Sequence, residues 1–285
     1  MSLSHILSAL DEKLIVINKA KKHGQVVFLA GGGASGKGFA HTKFIDSSSF
    51  KIFDVDEFKG LIIKVAKAKD SNSELATLDL SIPDDVFKLH KYVTDKGLVD
   101  KQLNTFLNSA KESAKKGELP NIMFDVTMKD IKKFMKYSDK LQGIGYDTKD
   151  FHLVWVLADY EMAVKQNLDP DRGRVVPSDI LLQTHVGAGE TMSNILKGNL
   201  PKDLEGEVYV LLSDRNFTDY EENEAGEIIV GKSAISGKET STIKDFSYVK
   251  VKDRGAKTKG GKALEKTVYA WAKTRVPKAI RHLFK

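Results

Sequence analysis

Apolar residues along the chain gather in short, bounded runs, separated by longer segments in which they recur every three or four positions. "VVFLA" (26–30), "NIMFDVT" (121–127), "FHLVWVLA" (151–158) and "EVYVLLSDR" (207–215) are runs of the first kind, and "FKIFDVDEF" (50–58) contains another. Short runs with few polar interruptions predict strands buried on both faces. Between them the spacing predicts a helix through "LIIKVAKAK", two more at about 84–95 and 98–116, and a long one from about 178 to 197. Another covers "KDIKKFMKYSDKL", with Ile131, Phe134, Met135 and Leu141 on one side, and a short helix follows the fourth strand. Strands alternating with helices need crossover connections, which implies an α/β fold with a parallel sheet and helices on both faces.

The ends depart from this alternation. Leu3, Ile6, Leu7, Leu10, Leu14 and Ile17 recur at helical spacing, so residues 3–22 are expected to form an amphipathic helix stopped at Gly24. Asp11, Glu12 and Lys13 interrupt any apolar core of a secretion signal. Within 220–255, "NEAGEIIVG" and "FSYVKVKDRG" are expected to form an antiparallel hairpin on the sheet's edge. "GAKTKGGK" (255–262) reads as a flexible basic linker, and the helix after it carries Leu264, Val268, Trp271 and Ala272 on one face. The expected division is an N-terminal helix (1–24), a main domain (25–255) and a basic linker with a C-terminal helix (256–285). Within the main domain, 60–118 is a helical insertion and 167–177 a lid.

Composition narrows the chemistry. A chain of 285 residues with 41% apolar content can bury a sizeable core. It has no cysteine, which excludes disulfides, thiolate zinc sites and cysteine nucleophiles, and fits a reducing cytoplasm. No apolar run approaches the length of a bilayer span. The net charge of +6 favours anionic ligands, and from Lys257 onward Glu265 is the only acid.

The candidate chemistry begins where the first strand ends. "GGGASGK", Gly31 to Lys37, fills the G-x-x-x-x-G-K pattern of a phosphate-binding loop between a strand and a helix. Glycines let the backbone curl so that successive N–H groups face phosphate oxygens, and the lysine neutralises their charge. Gly31, Gly32, Gly33, Ala34, Ser35, Gly36, Lys37 and Gly38 are the expected nucleotide contacts. Gly38 stands where a Ser or Thr hydroxyl would bind Mg²⁺, so a water or a nearby carboxylate must substitute.

Ligands of open parallel sheets bind beyond the carboxyl ends of the strands. There the second strand offers Asp54 and Asp56, either able to take the proton of an attacking hydroxyl or to cap the next helix. The third strand ends with Asp125 and Thr127, expected to bind the acceptor, with Asp125 also orienting Mg²⁺ through water. Arg172 and Arg174 lie in the Gly- and Pro-punctuated segment "NLDPDRGRVVP", expected to be mobile and to bring positive charge to a phosphoryl transition state. "SDRN" (213–216), with Arg215, is the candidate wall for adenine. His185 has no partner pattern and reads as structural.

In order and spacing over roughly residues 25–250, these pieces resemble the zeta-toxin family of P-loop kinases. The likeness rests on the glycine loop with Lys37, "DVDEFK" ending strand two, a long helical insertion, "FDVT" ending strand three, "GYDTKDFHLVWVL" and "RVVP". The resemblance implies ATP and Mg²⁺ as cofactors and transfer of phosphate to a hydroxyl, in several family members that of a UDP-amino-sugar. It also implies that Asp56 is the catalytic aspartate, Asp125 the substrate-binding acid and Arg174 one of two lid arginines. At the other lid position stands Gln166, with Arg172 nearby as a replacement, and the strand-three acid is Asp where the family has Glu. An antitoxin-like partner is a further implication that no residue pattern encodes. The expected activity is an ATP-dependent kinase acting on a small anionic or nucleotide-linked acceptor. Its alternatives are a polynucleotide or nucleotide kinase recruiting nucleic acid through the basic tail, and a non-catalytic nucleotide-binding protein.

Overall fold

The computed structural model describes residues 23–43, 45, 49–169, 172–214, 218–232, 239–241, 243–257 and 262–285. The helix expected over 3–22, Arg215 and part of the basic linker lie outside them. Five parallel strands carry the site: β1 (Val26–Ala30), β2 (Phe50–Asp54), β3 (Asn121–Asp125), β4 (Phe151–Ala158) and β5 (Val208–Ser213). Short strands follow, β6 (Thr218–Tyr220), β7 (Val230–Lys232), β8 (Glu239–Ser241) and β9 (Ile243–Phe246), then β10 (Tyr248–Lys252). The main sheet runs β10-β5-β4-β1-β3-β2, with β10 antiparallel to β5.

Helices cover both faces, which explains the unbroken apolar runs. On one face Phe28, Phe124, Trp155 and Val210 pack with Leu103 of α4 (Leu98–Lys115), Phe134 of α5 (Ile131–Gln142), Met192 of α7 (Ser178–Leu196) and Val268 of α8 (Lys262–Arg275). On the other, Val27, Leu29, Met123, Val154 and Leu211 meet Ala40 of α1 (Lys37–Lys43) and Ile45. The stripe on α5 is Phe134, Tyr137, Ser138 and Leu141, at i, i+3, i+4 and i+7. Met135, expected inward, is 44% exposed. Ser138 takes an inward position because its hydroxyl donates to Asp203 at 2.9 Å.

The stretch expected as a helical insertion, 60–118, holds most of α2 (Val55–Lys69), all of α3 (Pro83–Asp95) and α4. Ile63, Leu78, Leu89 and Val93 form a small cluster of their own there, apart from the core at the sheet. The edge differs from expectation in its pairing. "FSYVKVK" does line the sheet, but against β5, through Tyr248↔Leu211 and Val249↔Val210. The end of "NEAGEIIVG" instead enters β7, which pairs with β8, and Ile228 bridges to Glu222. A parallel sheet ends in an exposed ladder, and β10 satisfies it without a local turn partner.

The C-terminal segment is integral to the core. Val268, Ala272, Val276, Ile280 and Phe284 are buried, and Phe284 stacks on Trp155 with ring centroids 6.2 Å apart. Trp271, also expected on the inner face, is half-buried. Arg281 donates to the carbonyls of Val276 and Thr274, so its charge is used within the segment.

Candidate active site

The carboxyl ends of β1, β2 and β3 converge by register: Leu29 pairs with Asp125, and Asp125 with Asp54. From β1 the chain turns through the glycine loop into α1. Gly36 has φ 84°, and a Cβ there would meet Ser213 Oγ at 2.6 Å, so β5 closes the loop from behind. Ala34 also adopts positive φ, 53°. Lys37 Nζ lies across the loop, donating to the carbonyls of Gly31 and Gly32 at 3.1 Å each, and stands 3.7 Å from Asp125 Oδ1.

Asp125 is mostly buried. Burial pushes its carboxyl up to about 6, against the lowering pull of Lys37, and Asp54 and Asp56 push the same way as burial. Thr127 is half-buried just beyond it, while Asp130 caps α5 by accepting from Lys132 N–H at 2.8 Å.

Asp54 and Asp56, one residue apart, receive different roles because the strand ends between them. Asp54 is the N-cap of α2, and its Oδ1 accepts from the N–H of Asp56 at 2.7 Å and of Glu57 at 3.3 Å. Asp56 lies in the first turn of α2, with its side chain 49% exposed to the cleft. Arg174 Nη1 is 2.8 Å from its Oδ2, and Lys59 Nζ is 3.4 Å from Oδ1. Burial raises this carboxyl, but Arg174, with Lys59 and Lys37, outweighs it and holds the group at about 2.

The segment expected to act as a lid starts where α6 (Tyr160–Asn167) ends. Asn167, buried, ties its two ends together: Oδ1 accepts from Arg172 Nη1 at 2.6 Å and Val176 N–H at 3.0 Å, and Nδ2 donates to Val176 O at 2.7 Å. Val175 N–H donates to Leu80 O at 2.9 Å, docking the lid on the insertion. The segment expected to be mobile is thus pinned at its base. Arg174 reaches the cleft, whereas Arg172 is drawn back to Asn167. Burial and the charge of Arg174 lower the pKa of Arg172.

Sequence reading missed two contributors. Thr184 and His185 on α7 bond to both backbone polar groups of Gly33, Thr184 Oγ1 at 3.0 Å from its nitrogen and His185 Nε2 at 2.7 Å from its oxygen. His185, read as structural, therefore belongs to the loop. Nothing in the local sequence signals a contact made across 152 positions. Lys133 is also near: burial lowers its pKa, Asp56 and Asp125 act on it, and its ammonium sits 5.7 Å from the Tyr137 ring centroid.

Gly38 lies in the first turn of α1, exposed, and a Cβ there would meet nothing within 4 Å. Among the described residues no group of three His, Asp or Glu side chains is placed to hold a metal ion. None of the described helices is long and apolar enough to cross a membrane.

Comparison with solved structures returns 16 matching chains, among them the following two. A chain of the PezAT chromosomal toxin–antitoxin system of Streptococcus pneumoniae aligns at 14% identity and a TM-score of 0.44, covering 75% of this chain and 76% of that one. A chain of the AvrRxo1-ORF1:-ORF2 structure with ATP aligns at 14% identity and a TM-score of 0.48, covering 84% and 68%. A comparison with curated proteins returned no match. The model of the zeta toxin family matches residues 10–223, a span that holds the glycine loop, Asp56, Asp125 and the lid, and the chain belongs to that family.

Proposed function

We propose that the protein is an ATP-dependent kinase that transfers the γ-phosphate to a hydroxyl of a small anionic or nucleotide-linked acceptor. One observation carries the reading: Asp56 stands at the carboxyl end of β2 between Lys59 and the lid's Arg174, within electrostatic reach of Lys37 on the phosphate loop. In-line phosphoryl transfer needs a proton acceptor for the hydroxyl and positive charge around the moving phosphoryl group.

Lys37 and the loop amides would hold the β- and γ-phosphates of ATP, with Gly36 giving the loop the shape that a side chain would prevent. Asp125 fits as a carboxylate ligand, directly or through water, for a Mg²⁺ that arrives with the nucleotide and keeps most of its waters. That ion would supply charge neutralisation at the phosphate oxygens. A carboxyl held at about 2 is ionised but weakly basic. Arg174 leaving Asp56 for the γ-phosphate would raise that basicity just as the acceptor hydroxyl has to lose its proton. Asp56 would then accept the proton.

The acceptor side of the cleft is cationic. Lys59 and Lys129 both act electrostatically on Lys133, which favours an acceptor carrying its own negative charge. The buried apolar face of α8 and the internal bonds of Arg281 give the C-terminal segment a packing role and lend the nucleic-acid alternative no support. Membership in a toxin family makes an antitoxin-like protein an expected partner, to be sought by co-purification from the native host.

The test is transfer of labelled γ-phosphate from ATP, with Mg²⁺, to a panel of nucleotides, nucleotide sugars and sugar phosphates, comparing wild type with Asp56→Asn. Label on an acceptor hydroxyl, lost in the variant, supports the reading. Intact ATP binding with no transfer to any acceptor would leave a non-catalytic nucleotide-binding protein.

A further inference from the structure

α7 joins two parts of the site that the sequence holds far apart. It begins at Ser178, directly after the lid, and two turns later reaches the phosphate loop. There Gly33 is bonded at both its backbone polar groups, one in each of the two peptides that flank its Cα. Its N–H donates to Thr184 Oγ1 at 3.0 Å, and the threonine hydroxyl in turn donates to Leu181 O at 2.7 Å. Its carbonyl pairs with His185 Nε2 at 2.7 Å. A carbonyl only accepts, so Nε2 carries the hydrogen. Burial chiefly, with Lys37 nearby, lowers the ring's pKa despite the raising pull of the Gly33 carbonyl and of Asp159, so the neutral ring prevails at pH 7.

The imidazole lies so close to Gly32 that a Cβ there would overlap it, and Tyr160 meets the ring edge-on with centroids 5.2 Å apart. His185 is thus fixed on three sides: by a backbone carbonyl, a glycine surface and an aromatic edge. The loop in turn has a wall it cannot pass. Because the Gly33 N–H is taken by Thr184, a bound phosphate is left to the later loop amides and Lys37.

We propose that Thr184 and His185 are positioning residues for the nucleotide: they fix the Gly32–Gly33 backbone and thereby aim the rest of the phosphate loop. The proposal rests on the reading that this loop binds ATP. It assigns to α7 a function in binding as well as in the core, and places the lid and one wall of the phosphate cradle on the same helix. No phosphate contact by either side chain is required. Their effect passes through the backbone of Gly33.

The side-chain geometry of histidine gives a selective test. His185→Gln places an N–H donor near the Nε2 position, whereas His185→Asn places one near Nδ1, too short to reach Gly33 O. ATP affinity, measured by calorimetry with Mg²⁺, should fall about tenfold in His185→Asn and His185→Ala, as expected for one buried hydrogen bond, and return close to wild type in His185→Gln. The acceptor KM should not move. Thr184→Val, close in shape, should speed hydrogen exchange of the Gly33 amide in the nucleotide-free protein. Unchanged ATP affinity in His185→Ala and His185→Asn, or equal losses in the Gln and Asn variants with matched losses of melting temperature, would overturn the proposal. If the wild type bound no ATP, the kinase reading would fail instead. The clamp would then still be judged by the Gly33 exchange rate, and no change in Thr184→Val would overturn it too.

Discussion

Gly33 on the phosphate loop and Arg174 on the segment after α6 are both parts of the candidate site, and the chain fixes them by different means. Gly33 is held through its backbone, by side chains of a buried helix, with hydrogen bonds to both its N–H and its carbonyl. Arg174 is held through a side-chain ion pair to Asp56, whose carboxylate is half open to water. A half-buried residue bonded at both its backbone groups resists displacement, because a polar group left unmet away from water costs up to about 1–3 kcal/mol. An ion pair half open to solvent is partly screened, and an incoming phosphate can take the guanidinium from it. The loop side is built before the nucleotide arrives. The lid side is poised to rearrange, though Asn167 keeps its base in place.

If that contrast holds, changes on the two sides should separate in kinetics. The largest effect is expected on the built side: Lys37→Ala should weaken ATP about a hundredfold or more and remove measurable transfer, with the fold unchanged. Calorimetry checks the affinity, and wild-type binding in this variant would remove the loop from the site. Next, Asp56→Asn should keep ATP binding and cut transfer about 10²–10⁴-fold. Asp54→Asn should act mainly on the stability of α2, because Oδ1 of Asp54 is committed to the cap. Transfer lost in Asp54→Asn and kept in Asp56→Asn would show the roles reversed.

Arg174→Ala tests whether the lid acts late. Transfer should fall about 10²–10³-fold while ATP affinity changes less than about tenfold. Matched losses would make Arg174 a ground-state clamp like the loop and dissolve the contrast. The same variant should raise the Asp56 carboxyl from about 2, because burial is then opposed by Lys59 and Lys37 without the guanidinium. Carboxyl-carbon NMR titration reads that shift directly.

A smaller effect separates stability from function at Asp125. Its carboxyl titrates near 6 in the fold and from an ordinary value of 3.8 when unfolded. Between those values the folded protein keeps a proton that the unfolded chain has lost. Stability therefore falls as pH rises through this window and stays lowered above it. Asp125→Asn should stabilise the protein at pH 7 by about 1–3 kcal/mol, and show no such gain below about pH 4. Denaturant melts at the two pH values decide this, and a gain of equal size at both would assign it to something other than titration. The smallest effect is expected for Gly38→Ser, which has room for its side chain and should lower the Mg²⁺ concentration for half-maximal transfer a few-fold.

Most of the frame was legible because local patterns encode it. The five parallel strands and the helices at 83–95 and 98–115 follow from apolar runs and helical spacing that hold whatever the neighbours are. The loop from Gly31 to Lys37 declares itself by composition, since few other residues permit its turns. Met135 was misread because helical spacing allows several adjoining stripes, and only the packing against Phe124 and Asp203 chose the one centred on Phe134, Tyr137 and Ser138. The hairpin's pairing was misread because a strand's partner is a property of the sheet's free edge.

The sequence by itself determined the alternation of strand and helix, the glycine loop, and the placing of Asp54, Asp56 and Asp125 at strand ends. Each of these depends on residues within a few positions of one another. Only the tertiary structure decided that Asp54 caps while Asp56 faces Arg174, that Arg172 turns back to Asn167, and that Thr184 and His185 hold the loop. Those choices are made where strand ends, lid and α7 meet, by hydrogen bonds and ion pairs between residues as far as 152 positions apart. A local pattern names the groups that can pair; the packing of the sheet decides which of them are brought within reach.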